Sequence, residues 1–316
     1  MDSPKCLILG ASGFLGKNLC RTLVQHGFHV IAYGRETGHL KALEAVTSSL
    51  QVVTGDFVIE GVPDSLLDGA DIVFHLISTT KPANTDVLKE FETNVVPTVR
   101  LLDACASRQL RLVYFSSGGT VYGVPRYVPI DEGHRTEPIS AYGIHKLSVE
   151  KCIEYYGRTY GLDYDILRIS NPYGRYQDPK ARQGAMAVFM ARAILGQPIE
   201  IWGDGSVIRD YVDVDDVMDA CMKLLLYHGD VHVFNIGSGK GYSLQAMLYR
   251  MERELGEPIE VHYQSSRVQD VPANVLDNSL ARKELEWMPR TGFEAGIHKM
   301  HRLWNPRRRD FSGNDS

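Results

Sequence analysis

Ile8-Leu9-Gly10-Ala11-Ser12-Gly13-Phe14-Leu15-Gly16 is the stretch that decides the fold. The apolar run leading into it, Cys6 to Leu9, reads as a buried strand. The run after it, Lys17-Asn18-Leu19-Cys20-Arg21-Thr22-Leu23-Val24, reads as an amphipathic helix. A strand, a glycine turn and a helix start leave bare backbone N–H groups at the positive end of a helix dipole, where a pyrophosphate can sit. Three glycines alone say little, because ordinary tight turns produce them too. The flanking strand and helix are the context that makes a dinucleotide turn of them. The spacing G-x-x-G-x-x-G is one residue wider at the first gap than the commoner fingerprint. Gly10, Gly13 and Gly16, with Ser12, Phe14 and Leu15 between them, are the candidate cofactor contacts.

Outward from this turn, apolar strand-like runs alternate with helix-like runs. Strands are expected at 5–9, 28–33, 50–53, 71–77, 110–116 and 164–169, and helices at 14–26, 37–46, 86–107 and 140–160. Such alternation predicts an α/β chain with a doubly wound parallel sheet, the Rossmann arrangement, whose ligands bind at the carboxyl ends of the strands. Pro97 should kink the 86–107 helix, because proline removes a backbone bond; Asn94, one turn earlier, is expected to satisfy a freed backbone group. His75 ends a strand and reads as a packed core histidine. The pattern breaks after residue 170 at the turn-rich Asn171-Pro172-Tyr173-Gly174-Arg175-Tyr176-Gln177-Asp178-Pro179. The expected organisation is a dinucleotide-binding domain over 1–171, with a returning segment at 211–239. Residues 172–210 and 240–316 then form a smaller mixed α/β substrate-binding lobe.

Composition excludes several classes. The chain has 316 residues, ample for a large core, and a formal net charge of −5, which gives no footprint for nucleic acid or anionic membrane. The basic run Arg307-Arg308-Arg309 lies in a polar tail and reads as a solvated terminus. No apolar run approaches the ~20 residues of a membrane span. Five scattered cysteines, without a C-x-x-C pair, predict inert thiols in a reducing compartment and no metal site. The first strand begins too early for a signal peptide, so a cytoplasmic protein is expected.

The chemistry centres on Tyr142 and Lys146, four apart at the start of a helix that Ser140 caps. On a helix these side chains are neighbours, and an ammonium beside a phenol favours the phenolate. A tyrosine so tuned can take a proton from an alcohol near neutral pH. A second pair at this spacing, Tyr176 and Lys180, spans Asp178-Pro179 in a turn and lacks the helical register. Upstream of the first pair, Phe115-Ser116-Ser117-Gly118-Gly119-Thr120-Val121-Tyr122-Gly123 ends a strand in small polar residues, with Ser117 and Thr120 aimed at the cofactor crevice.

Taken in order, the glycine turn, Ser116-Ser117-x-x-Thr120-Val121-Tyr122-Gly123, Tyr142-x-x-x-Lys146 and Arg168-x-x-Asn171-Pro172-Tyr173-Gly174 resemble the extended short-chain dehydrogenase/reductase superfamily. The epimerase/dehydratase branch matches best, with UDP-galactose 4-epimerases nearest. The likeness continues through Gly203-Asp204-Gly205-Ser206-Val207-Ile208-Arg209 and Phe234-Asn235-Ile236-Gly237-Ser238-Gly239, nearly the whole chain. It implies a nucleotide-sugar 4-epimerase in which Tyr142, Lys146, Ser117 and Thr120 act on the sugar. Asp56, Phe57, Leu76 and Asn94 would surround the dinucleotide, Asp56 contacting adenine or else capping its turn. Ser117, Asn171, Arg209 and Arg267 would hold the nucleotide sugar. Asn274, where some relatives carry tyrosine, would leave room for an N-acetyl group or be a plain loop residue. Homodimerisation through the 86–107 and 140–160 helices is also implied.

Two departures stand out. Gly118 occupies the slot where such epimerases usually carry a serine or threonine. Gly34 occupies the slot where NAD-specific folds carry a carboxylate for the ribose, and the adjacent Arg35 suits a 2′-phosphate. Charge at the end of the strand expected at 28–33 therefore leans to NADP, the resemblance to NAD. The competing readings are an NADP-dependent reductase or a dehydratase on the same scaffold, and a non-catalytic nucleotide sensor. Gly119 and Thr120 lack the acidic group that dehydration uses, and an intact Tyr142/Lys146 pair fits a sensor poorly.

Overall fold

The computed structural model describes residues 3–80, 83–178, 184–265 and 271–305. The expectations resting on Lys180, Arg267 and the 307–309 basic run fall outside these residues. The strands are β1 (Lys5–Leu9), β2 (His29–Gly34), β3 (Leu50–Thr54), β4 (Ile72–His75), β5 (Arg111–Ser117), β6 (Tyr164–Ile169), β7 (Asn171–Tyr173), β8 (Ile199–Trp202), β9 (Ile208–Asp213), β10 (Val233–Ile236), β11 (Gly241–Ser243), β12 (Val261–Gln264) and β13 (Ala273–Asn274). The helices are α1 (Phe14–Gln25), α2 (Gly38–Glu44), α3 (Asp64–Leu67), α4 (Val87–Glu90), α5 (Val96–Arg108), α6 (Ala141–Tyr160), α7 (Ala185–Ile194), α8 (Val214–Leu225), α9 (Leu244–Leu255), α10 (Ser279–Glu284) and α11 (Phe293–Trp304).

Seven strands form one parallel sheet in the order β3-β2-β1-β4-β5-β6-β10, so the direction in which strands are added reverses between β1 and β4. The carboxyl ends of these two strands therefore open the ligand crevice of a doubly wound fold. Cys6 to Leu9 are wholly buried because helices cover both faces, which is why the strand reads as an unbroken apolar run. Leu19 and Leu23 of α1 pack with Val217 and Leu224 of α8 on one face. Leu101 and Cys105 of α5 pack with Val149 and Ile153 of α6 on the other. Cys6, Cys20 and Cys105 are buried free thiols, pushed up to about 12 by that burial.

The helix expected at 86–107 is three pieces. α4 runs into a π-helical turn over Phe91–Val95, and α5 starts at Val96 with Pro97 in its first turn. Proline supplies no N–H, and the widened turn absorbs the mismatch. Asn94 does not satisfy a freed helical group with its side chain, contrary to expectation. Its Oδ1 accepts the N–H of Thr79 at 2.9 Å, while its own carbonyl is taken by the Thr98 hydroxyl at 2.6 Å.

Beyond β6 the chain builds a second, mixed sheet in which β11, β13 and β7 all pair with β9. β8 and β12 form a separate parallel pair. Met186, Met190, Met247, Met251 and Met300 fill the core beneath. Among the described residues no helix is long and apolar enough to cross a membrane.

Candidate active site

The glycine turn is built by backbone contacts that side chains would break. Gly10 adopts a φ of +90° and donates its N–H to the Tyr33 carbonyl at 3.0 Å; Gly13 donates back to the Gly10 carbonyl at 3.0 Å. A Cβ on Gly16 would lie 2.2 Å from that carbonyl oxygen and 2.7 Å from the Ala11 Cα. The helix start must therefore pass this close to β1. α1 starts at Phe14 behind Gly13, which offers no capping side chain, and its first turn holds no acidic residue. Its first N–H groups, those of Phe14, Leu15 and Gly16, are the orphan donors of a helix start and suit an anion. This cradle fits a dinucleotide pyrophosphate.

At the ribose end, a Cβ on Gly34 would meet Ser12 Oγ at 3.0 Å, so a larger residue there presses on the loop itself. Arg35 next door is exposed. Asp56 Oδ1 accepts from the N–H groups of Val58 at 2.9 Å and Ile59 at 3.3 Å, which is the turn-capping role. The Phe57 ring turns into the core against His75, their centroids 5.2 Å apart. His75 is buried beside the Thr98 hydroxyl at 2.8 Å and is pushed down to about 3, by burial first and Lys146 second. It is a neutral core histidine. Leu76 follows β4 half-buried, its N–H on the Leu9 carbonyl.

Ser140 caps α6 by accepting the Gly143 N–H at 3.1 Å. The helical repeat then puts Tyr142, Lys146 and Glu150 in one column. Lys146 is buried, donates to the Phe115 carbonyl at 2.8 Å and lies 4.8 Å from the Tyr114 ring centre. Burial pushes it down to about 8, against the pull of Glu150 and Glu90. The Tyr142 phenol, however, departs from expectation. It is pushed up to about 12 by burial, with Ser78 pulling it down through a hydrogen bond and Glu90 pushing it up. The spacing is right but the ammonium turns to the strand carbonyl, and desolvation of the ring exceeds any help from Lys146.

The hydroxyls at the end of β5 divide their roles. Ser116 donates to buried Glu150, which also takes Arg168 Nη2 at 2.7 Å. Arg168 in turn donates to the Tyr122 hydroxyl at 3.0 Å. Losing Arg168 would leave the Glu150 charge buried with one neutral donor. Arg168→Met is therefore expected to cost about 3–5 kcal/mol, read from urea unfolding midpoints. Ser117 ends the strand half-buried, and the Thr120 hydroxyl is buried without a protein partner. Gly118 has a packing reason. A Cβ there would lie 2.5 Å from Leu276 Cδ1 and 3.0 Å from the Arg168 carbonyl, so a serine cannot enter unless Leu276 moves.

Three further candidates converge on the second sheet. Asn171 (β7) donates to the Asp210 carbonyl at 2.8 Å, and Arg209 (β9) to the Val271 carbonyl at 2.6 Å. Asn274 (β13) is in register with Arg209 and donates to the Gly118 carbonyl at 3.1 Å, with its Oδ1 buried and unpartnered. It is a buried strand residue and not a plain loop residue. No motif in the sequence marks Ser78, Glu90 or His145, yet Ser78 and Glu90 act on the Tyr142 phenol and the His145 ring packs 4.9 Å from the Tyr142 ring. A histidine directly before Lys146 was the available signal for one of them.

A profile described as the NAD dependent epimerase/dehydratase family matches residues 6–237. The UDP-glucose 4-epimerase of Mycolicibacterium smegmatis is 32% identical over 93% of this chain and 96% of its own. The crystal structure of the Thermotoga maritima UDP-glucose 4-epimerase with UDP-glucose superposes with a TM-score of 0.84 at 30% identity, covering 94% of this chain and 97% of that one. The Bacillus cereus UDP-glucuronic acid 4-epimerase, solved with UDP-glucuronic acid and NAD, gives 0.86 at 25% identity, covering 95% and 100%.

Proposed function

The chain belongs to the NAD dependent epimerase/dehydratase family, and on that premise we propose a nucleotide-sugar 4-epimerase in which Tyr142 is the base. The observation that carries the reading is the column of Tyr142 and buried Lys146, set at the end of β5, which closes with Ser117 and is followed by Thr120. NAD is the cofactor. When bound it supplies the hydride acceptor at C4 and a cationic ring that favours a nearby phenolate. Tyr142 takes the proton from the sugar 4-hydroxyl, and Lys146, whose ammonium donates to the Phe115 carbonyl at 2.8 Å, would hold the ribose. Tyr142 would return the proton to the sugar oxygen once C4 is inverted, and an epimerisation of this kind would leave no net redox change. Asn171, Arg209 and Arg267 are the proposed diphosphate ligands. A guanidinium suits phosphate because its paired donors match two oxygens.

The substrate class is a UDP-hexose or UDP-N-acetylhexosamine, handled by a homodimer in the cytosol. Incubating the protein with UDP-glucose or UDP-N-acetylglucosamine, without added cofactor, is expected to yield the C4 epimer by proton NMR. Stoichiometric NADPH demand with no epimer would instead favour a reductase, the reading that exposed Arg35 supports through its charge at the ribose end.

A further inference from the structure

We propose that Asp210 is a positioning residue for the diphosphate of the nucleotide sugar. Its buried carboxylate, seated in the turn Gly237-Ser238-Gly239, joins β7, β9 and the chain leaving β13 and so fixes Arg209 and Asn171. The inference rests on the reading of those two residues as diphosphate ligands. It also gives a role to the run Phe234-Asn235-Ile236-Gly237-Ser238-Gly239, which the proposed reaction leaves unused.

Asp210 is wholly buried in β9. Its Oδ1 accepts the Ser238 N–H at 2.8 Å and the Ser238 hydroxyl at 2.6 Å. Its Oδ2 accepts the N–H groups of Gly239 and Leu276, each at 3.2 Å. Its backbone carbonyl takes Asn171 Nδ2 at 2.8 Å. Successive N–H groups such as those of Ser238 and Gly239 make a concave anion nest, and here the chain fills it with its own carboxylate. Gly239 shapes the nest with a φ of +72°. Gly237 has to stay bare, because a Cβ there would lie 2.5 Å from Asp210 Oδ2. Burial raises the Asp210 carboxyl and these donors pull it down; without them the buried charge would be costly.

The placement reaches the site on two sides. Successive side chains of a strand point to opposite faces, so seating Asp210 in the nest turns the half-buried Arg209 the other way. Arg209 is there in register with Asn274 and donates to the Val271 carbonyl at 2.6 Å. The oxygen that takes the Leu276 N–H also fixes the residue that fills the slot beside Gly118.

Asp210→Asn keeps the shape but turns one acceptor oxygen into an NH2 group that faces N–H donors. Calorimetric titration of the dinucleotide-containing protein with UDP is expected to show an affinity about tenfold weaker. KM for UDP-glucose should rise by more than kcat falls, with dinucleotide content at the parental level. Ser238→Ala removes only the hydroxyl on Oδ1; it should weaken UDP by a smaller factor, and it carries the test alone if Asp210→Asn does not fold. Arg209→Met separates the two readings. Parental UDP affinity in Arg209→Met would sink the diphosphate reading itself. A loss there, with parental affinity in every folded Asp210 or Ser238 variant, would overturn the positioning role. A kcat that falls as far as KM rises, with dinucleotide lost, would overturn it too, because the carboxylate would then support the fold and not the diphosphate site.

Discussion

Tyr142→Phe is expected to lower kcat by about 10²–10⁴-fold, the range in which a positioned acid–base group contributes. The substitution removes one oxygen and keeps the ring, so the edge-to-face contact with His145 at 4.9 Å survives. The glycine turn, the proposed pyrophosphate cradle, is untouched by this change, and dinucleotide content after purification should match the parent. The pH profile sharpens the test. On the proposal that Tyr142 is the base, the phenolate is the active form, and burial holds the phenol high, at about 12. Activity of the parent should therefore climb with pH along its acid limb, tenfold per unit while the protonated phenol dominates. That limb should vanish in Tyr142→Phe. A variant that kept parental turnover and the same limb would move the base to another group.

The parts of this molecule that were legible in the sequence share a local cause. Cys6 to Leu9 announce a parallel strand because both faces are covered, and Ser140 announces the start of α6 because its oxygen accepts the Gly143 N–H. What escaped depends on distant chain. Glu90 sits among Lys89 and Glu92 with nothing beside it in the sequence to mark burial; the Thr80 hydroxyl from the loop after β4 reaches it, and it is buried. The effect of Lys146 on the phenol was misjudged for the same reason. Spacing along α6 predicts the neighbours, but the Phe115 carbonyl of β5 decides where the ammonium points. Gly118 looked like a missing hydroxyl, and the cause is Leu276, which arrives with the strand pairing of the second sheet. Asp56 had two readings, and only the turn geometry favours the cap.

Gly16→Ala should release the dinucleotide while Gly13→Ala largely retains it, although both replace a glycine in one turn. Helix propensity argues the other way, since alanine inside α1 is intrinsically better by roughly 1 kcal/mol. Contact distance decides. The new methyl at Gly16 would lie 2.2 Å from the Gly10 oxygen and under 3 Å from two backbone atoms of Ala11, none of which can swing aside. At Gly13 the nearest atom is the Gly10 oxygen at 3.3 Å, which yields with a small shift. Overpacking of the first kind costs typically 1–3 kcal/mol, less the propensity gain, and the strain falls on the carbonyl that shapes the cradle. An affinity loss of about 10-fold or more for NAD is expected in Gly16→Ala, each tenfold being 1.4 kcal/mol. Denaturing each purified variant and quantifying the released dinucleotide by absorbance, with calorimetric titration of the stripped protein, separates the two. Equal retention in both would mean that the close approach of α1 to β1 does not shape the cofactor site, and that the pyrophosphate is held elsewhere.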